Sequence, residues 1–400
     1  AIVTMWEYVP LAEYTPPTPS VKAISENWFA ELRRRFGAGK AQAEPFEERE
    51  SLKALPAWQL QRIAPAPAWR AAAQALDVRL EHWLADRQSQ HIPLLFIGPP
   101  YSGHVEILQL WAELHDWRVI EPPASEEVFA GDLSWLSDQI VDDQPWVFPH
   151  LERTYLRHTE GLGLIRRFFD QVYAGNLGCG LIGCDSWGWT FLRRFWPEHL
   201  SNTLALRAFD EKLLSHYLQA LASGGEDQHL LFRQSDNGKY VFPPPEDVAV
   251  NGSVHHSDYM QRLAVHSRGI LGIAWTIWHN SLRIEPDEEI AEEAQAEAVD
   301  LPGKTVWVAP WSQIKHPVMP PGAIRHQAFV LHALLLHSGL TGEQLAQVTP
   351  LTADEVTEMI YLLQNARVLA ESAGFWRVTA QGYPVARQFL VDNGYPVDEF

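Results

Sequence analysis

The residues Gly98-Pro99-Pro100-Tyr101-Ser102-Gly103-His104-Val105 have the length and bounding glycines of a loop that wraps a phosphate. Such loops work because backbone N–H groups and a helix N-terminus face the anion, while a lysine bridges the outer phosphates. The pattern G-x-x-x-x-G-K-[ST] places that lysine at His104 and its magnesium-binding hydroxyl at Val105. His104 is shorter and, at neutral pH, mostly uncharged unless an anion raises its pKa. Val105 offers magnesium no oxygen. A charge-assisted hydrogen bond of about 1.5–3 kcal/mol is thereby weakened or lost. Read instead as an ordinary strand-to-helix turn, the same residues need no ligand.

The elements around the loop are those that would position it. An apolar strand, Pro93-Leu94-Leu95-Phe96-Ile97, runs in, and an amphipathic helix over 105–115 runs out. From residue 68 to 209, short apolar runs alternate with helical patterns, the signature of a parallel α/β sheet. Strands are predicted at 94–97, 118–120, 146–148, 180–184 and 204–206, and helices at 69–86, 105–114, 133–141, 162–173 and 189–196. Helical stretches follow at 211–222 and 257–282, separated by a polar, proline-rich insertion that runs through Pro245. Residues 285–300 hold eight acids and no Lys or Arg, which reads as a solvated linker.

The last segment has a different grammar. A helix is predicted over 325–337, and Thr341-x-x-Gln344 and Thr352-x-x-Glu355 are capping boxes that open two more. Residues 368–371 and 375–379 flank Ser372-Ala373-Gly374 as a β-hairpin, and 383–393 closes with a helix. Three helices and a hairpin make a winged helix-turn-helix. The expected organisation is an irregular N-terminal arm (1–67), an α/β core (68–210), a helical lid (211–284), an acidic linker and connector (285–320) and the winged helix (321–400). Within the arm, Tyr14-Thr15-Pro16-Pro17-Thr18-Pro19 should be extended. The amphipathic stretch 21–36 is expected to pack on the next domain rather than on a membrane.

In this order of parts the chain resembles AAA+ ATPases of the origin-recognition and STAND-like branch, with a winged helix appended. The resemblance runs from about residue 94 to the last residue and implies a P-loop NTPase-like parallel sheet with a helical lid. It places Pro145-Trp146-Val147-Phe148-Pro149-His150-Leu151-Glu152 where an apolar strand ends in an acidic pair. There the first acid would coordinate magnesium and the second activate water; His150 replaces the first and Glu152 matches the second, which makes Glu152 the candidate catalytic residue. Gly180-Leu181-Ile182-Gly183-Cys184-Asp185-Ser186 resembles the strand that presents a polar sensor to the γ-phosphate, through Asp185 or Ser186. Thr203-Leu204-Ala205-Leu206 resembles the strand that leads into the lid. His266-Ser267-Arg268-Gly269 resembles the lid's arginine-bearing sensor, with Arg268 as the anion contact, and a structural ion pair as its other reading.

His104, Val105 and His150 all act against Mg-ATP, and three such changes point to a site released from catalysis. The expected function is therefore a non-catalytic scaffold or regulatory subunit, a pseudo-ATPase, with ATP or another anion as the ligand the loop could still hold. An ATPase working unconventionally through His104 and Glu152 is the alternative. A net charge of −19 repels nucleic acid and anionic lipid. From Arg325 onward four arginines face eight acids, and the would-be recognition helix opens with Asp354, Glu355 and Glu358. A DNA-associated factor is thus disfavoured, and the winged helix reads as a protein-docking module anchored by Trp376, Tyr383, Tyr395 and Phe400.

Cys184-Asp185-Ser186-Trp187-Gly188 lacks the first glycine of a nucleophile elbow, so a serine hydrolase would need an acid and a histidine beside Ser186. Arg193 and Arg194 could reach a neighbouring copy in a homo-oligomer, or stay solvated while Phe195 and Trp196 form the buried face. Scattered histidines and two cysteines, Cys179 and Cys184, form no expected metal site. No apolar run is long enough to span a bilayer and no secretory signal is read, so a cytoplasmic location is expected.

Overall fold

The computed structural model describes residues 5–19, 52–86, 92–140, 144–195, 203–223, 230–244, 255–285 and 305–400. The expected helix over 21–36 and nearly all of the acidic run after Glu285 lie outside them. In chain order the strands are β1 (Tyr8–Pro10), β2 (Lys53–Ala54), β3 (Leu94–Gly98), β4 (Arg118–Val119), β5 (Trp146–Phe148), β6 (Gly180–Asp185), β7 (Thr203–Leu206), β8 (Leu231–Gln234), β9 (Leu282–Ile284), β10 (Thr305–Val308), β11 (Leu369–Ser372) and β12 (Phe375–Val378). The chain divides into two compact units. One comprises Ala1–Thr15, Ala68–Arg207 and His316–Phe400, and the other Pro16–Pro67 and Ala208–Lys315.

The first unit is built on a six-stranded sheet in the order β1-β7-β3-β6-β5-β4. The five strands β3 to β7 are parallel to one another, and β1 runs antiparallel on the outer edge of β7. Every residue of β3, β5 and β6 is buried, as expected of parallel strands covered on both faces. Strand β3 lies between β6 and β7, so the loops leaving β3 and β6 open together at one edge of the sheet. That is the switch point where open α/β sheets take ligands. This is the mixed α/β fold with a parallel sheet that the AAA+ resemblance implies.

Several elements depart from the expected bounds. The arm is not wholly irregular: Tyr8–Pro10 is a strand, and the Tyr8 hydroxyl donates to the Ala72 carbonyl at 2.8 Å. The helix expected over 133–141 shortens to Ser134–Ser137, with a separate helix Ser125–Ala130 ahead of it. Gly131, left-handed at φ 68°, ends the first of these. The helix expected at 189–196 starts three residues early, at Ser186, because the Asp185 carboxylate accepts from the Trp187 N–H at 3.0 Å and caps it.

The winged helix comprises Ile324–Leu336, Gly342–Val348, Ala353–Asn365, the β11–β12 hairpin and Tyr383–Asp392. Both capping boxes form. Thr341 Oγ1 accepts from the Gln344 N–H at 3.1 Å, and Glu355 Oε2 from the Thr352 N–H at 2.8 Å. This domain packs directly on the α/β core. Helix Ile324–Leu336 is buried on nearly all sides, as a helix enclosed by two layers should be. Tyr155 donates to the Leu336 carbonyl at 2.8 Å, Trp187 Nε1 to the Tyr383 hydroxyl at 3.0 Å, and Gln344 Nε2 to Ser125 Oγ at 2.8 Å.

The second unit is not purely helical. Helices Ala57–Ile63, Glu211–Ser223, Tyr259–His266 and Leu271–Ser281 accompany a four-stranded sheet, β2-β9-β10-β8. Strand β8 falls in the expected insertion and β10 in the expected connector. Phe232, Phe242 and Tyr259 pack around Trp278 with ring centroids 5.2–6.0 Å from it.

Candidate functional site

The loop after β3 curls back on the end of its own strand. A Cβ at Gly98 would meet Ser102 Oγ at 2.5 Å and His104 Cβ at 2.6 Å, so only glycine permits the bend. Gly103 sits at φ 77° as the N-cap of helix His104–His115, and a side chain there would strike the Trp69 ring at 2.5 Å. Between them Tyr101 is also left-handed, at φ 67°, a conformation that costs a non-glycine residue roughly 1–2 kcal/mol. Its hydroxyl donates to the Val378 carbonyl in the hairpin. The loop therefore has a tight, strained form, and its tip is tied to the winged helix.

Its donors are depleted. Pro99 and Pro100 carry no N–H, and the Ser102 N–H is given to the Pro99 carbonyl at 3.1 Å. His104 is 6% exposed, with Nδ1 at 3.2 Å from Ser102 Oγ and Nε2 buried without a partner. Burial pushes its pKa down, against the pull of the Glu152 and Glu106 carboxylates. A neutral imidazole thus stands where the pattern requires a cation. Val105 follows it within the helix and supplies no oxygen.

Glu152 and Asp185 meet beside the loop. Gly98 and Asp185 are paired in register at the ends of β3 and β6. Glu152, 1% exposed, accepts from the Asp185 N–H at 3.1 Å through Oε2 and lies 3.2 Å from His150 Nδ1 through Oε1. Burial alone would raise its pKa, but the His150 hydrogen bond and charge, His104 and the Asp185 N–H hold it below the usual carboxylate range. Asp185 goes the other way. Burial, then the charge of Glu152, push it well above that range. Two adjacent buried carboxyls are thus pushed in opposite directions, as their mutual repulsion favours.

The C-terminal segment engages Ser186, while Asp185 Oδ2 is buried without a partner. Ser186 Oγ donates to Asp398 Oδ2 at 2.5 Å, and both residues are buried. Arg387 Nε pairs with Asp398 Oδ1 at 3.1 Å, Arg193 with Glu399 at 2.6 Å, and the Phe400 ring packs 4.2 Å from Tyr14. Ser186 thus has its acid but donates to it directly, with no imidazole between. Tyr383 and Phe400, expected as external anchors, are 1% and 3% exposed and serve this internal contact. Phe195, expected as a buried face, is 48% exposed; Trp196 lies outside the described residues.

The structure brings together Gly98 to Val105, Glu152, Asp185 and Ser186. Arg268 belongs to the other unit, left-handed at φ 55° between two helices. Trp69 and Asp398 were missed, and the internal contact of Tyr383 was not foreseen: these contacts bridge up to 212 residues of sequence and leave no local pattern. The residues present do not fit Mg-ATP. The loop lacks a cation, Pro99 and Pro100 offer no N–H, and the Ser186 hydroxyl donates to Asp398. Among the described residues no group of three His, Cys, Asp or Glu side chains could hold a metal ion, and no helix is long and apolar enough to cross a membrane.

No protein-family model matches the chain, and no curated protein matches it. Among solved structures it is similar to the Thermotoga maritima RuvB Holliday junction branch migration motor, at 14% identity over 85% of this chain and 99% of that one, with a TM-score of 0.31. It is also similar to the Aeropyrum pernix ORC2 protein, at 11% identity over 86% and 99%, TM-score 0.29. AMPPCP-bound DnaA from Aquifex aeolicus matches at 11% identity over 73% and 87%, TM-score 0.28. At such scores these likenesses add nothing to the strand order described above.

Proposed function

We propose that this chain is an AAA+-like scaffold that does not hydrolyse ATP and that presents its winged helix to a protein partner. The observation that carries the reading is that Glu152, Ser186 and one oxygen of Asp185 are already engaged within the protein, leaving Asp185 Oδ2 and His104 Nε2 unpartnered at the strand ends. Glu152 is held by His150 and the Asp185 N–H, Asp185 caps a helix, and Ser186 binds Asp398. Groups engaged in this way do not orient a water or a γ-phosphate. With Tyr383 and Phe400 buried, the outward face for docking falls on helix Ala353–Asn365. There Tyr361 is 65% exposed, one turn from the exposed Glu358 and two from Asp354. An aromatic residue flanked by acids suits a basic protein surface and opposes the phosphates of DNA. Titrating Mg-ATP into the protein and following the heat tests the first half of the proposal. No saturable signal is expected; one-to-one saturable binding would overturn it.

A further inference from the structure

A cavity of about 130 Å³ lies within the first unit, between the helix Ser125–Ala130, the residues after β5 and the winged helix. The Gly98–Val105 loop is not part of its wall. One side is apolar, formed by Pro123, Val128, Leu340 and Phe375; Arg153 and His337 line the other. Arg153 lies over the Phe375 ring, its Cζ 5.3 Å from the centroid. Arg377 stands just behind: a Cβ on Gly339, which also lines the cavity, would fall 2.7 Å from Arg377 Cγ. Among the described residues neither arginine forms an ion pair, and Arg377 Nε is buried with no hydrogen-bond partner.

His337 adds a donor. It is 2% exposed, and its Nε2 accepts from the Arg157 N–H at 3.4 Å, which leaves the proton on Nδ1. Nδ1 is buried and has no partner. Glu152 also borders the cavity, but its two oxygens are engaged by His150 and the Asp185 N–H. A guanidinium whose nearby counter-charge is the already engaged Glu152, a second guanidinium behind it and a buried N–H without an acceptor form an incomplete electrostatic arrangement. An anion completes it. Size narrows the choice, since an engineered cavity of about 150 Å³ just admits benzene. The space is too small for a nucleotide and suits a compact molecule of about six heavy atoms.

We propose that this cleft binds a compact oxyanion, phosphate or carboxylate, through Arg153 and His337 Nδ1–H, with the charge of Arg377 acting from behind Gly339 and any apolar part against Leu340 and Phe375. The site is independent of the nucleotide reading above, because the probes that test it are not nucleotides. Inorganic phosphate and acetate are each titrated into the full chain by calorimetry, and the two arms distinguish the anion types. One of them is expected to bind saturably at one site. Arg153→Gln and Arg377→Gln should each weaken that binding by about tenfold or more. Ala124→Phe, which blocks the mouth and leaves every charge in place, should abolish it while the melting temperature without ligand stays close to wild type. Absence of saturable binding by either probe would overturn the proposal, as would binding that persists unchanged in Arg153→Gln and Ala124→Phe.

Discussion

At the scale of single residues, the account turns on groups that satisfy one another across long stretches of sequence. Asp398 is the clearest case, since it accepts from Ser186 and pairs with Arg387, which is only 12% exposed at its side chain. Asp398→Ala leaves that guanidinium without its partner carboxylate and should destabilise the protein by roughly 3–5 kcal/mol, read from urea unfolding. Acid should act through two imidazoles on the core–winged-helix contact. His332 Nδ1 faces Arg157 at 3.0 Å; burial and then that cation push His332 down to about 4 and His337 to about 3. Both lie below the unfolded value near 6.5, so on acidification the unfolded chain takes up protons first and stability falls between pH 6.5 and those values. Asp185, raised by burial, opposes this with a single carboxyl. The imidazoles should leave the melting temperature lower at pH 5 than at pH 7, and His337→Gln should flatten that dependence. The turn from strand to helix over Gly98 to His104 was legible in the sequence because its pattern is local. The Asp398 contact was not, because nothing near Ser186 announces a partner 212 residues away.

At the scale of elements, what could be read was what is encoded in a few adjacent residues. Thr341 with Gln344 and Thr352 with Glu355 named two helix starts that the structure keeps, and the hairpin turn lies where expected. That turn also gives a prediction. Ala373 and Gly374 are both left-handed, at φ 51° and 83°, the two-residue turn in which asparagine followed by glycine is preferred. Ala373→Asn should relieve strain and stabilise the protein by about 1 kcal/mol, seen as a higher melting temperature. Elements of two to four residues escaped because they carry too little pattern. Tyr8–Pro10 is a strand only because the edge of β7 is there to pair with it, and β8 and β10 depend on each other in the same way. The short helix Ser125–Ala130 went unread, and the long helix expected beyond it was overdrawn, because Gly131 interrupts the apolar spacing.

At the scale of the whole molecule, the alternation of apolar runs and helical patterns was enough to reach the parallel sheet and the appended winged helix. How they assemble was not legible: the acidic run after Glu285 reads as a linker and says nothing of the contact by which the winged helix and the α/β core form one compact unit. That packing gives the sequence changes at His104, Val105 and His150 their meaning. A loop without a cation is a weakened site. On the proposed reading, a loop tied through Tyr101 to Val378, beside a Ser186 bound to Asp398, is a site turned to structural use. Phosphate release by the purified chain with Mg-ATP tests this most directly. The account predicts release at background, identical in wild type and Glu152→Gln, whereas steady magnesium-dependent release that disappears in Glu152→Gln would contradict it.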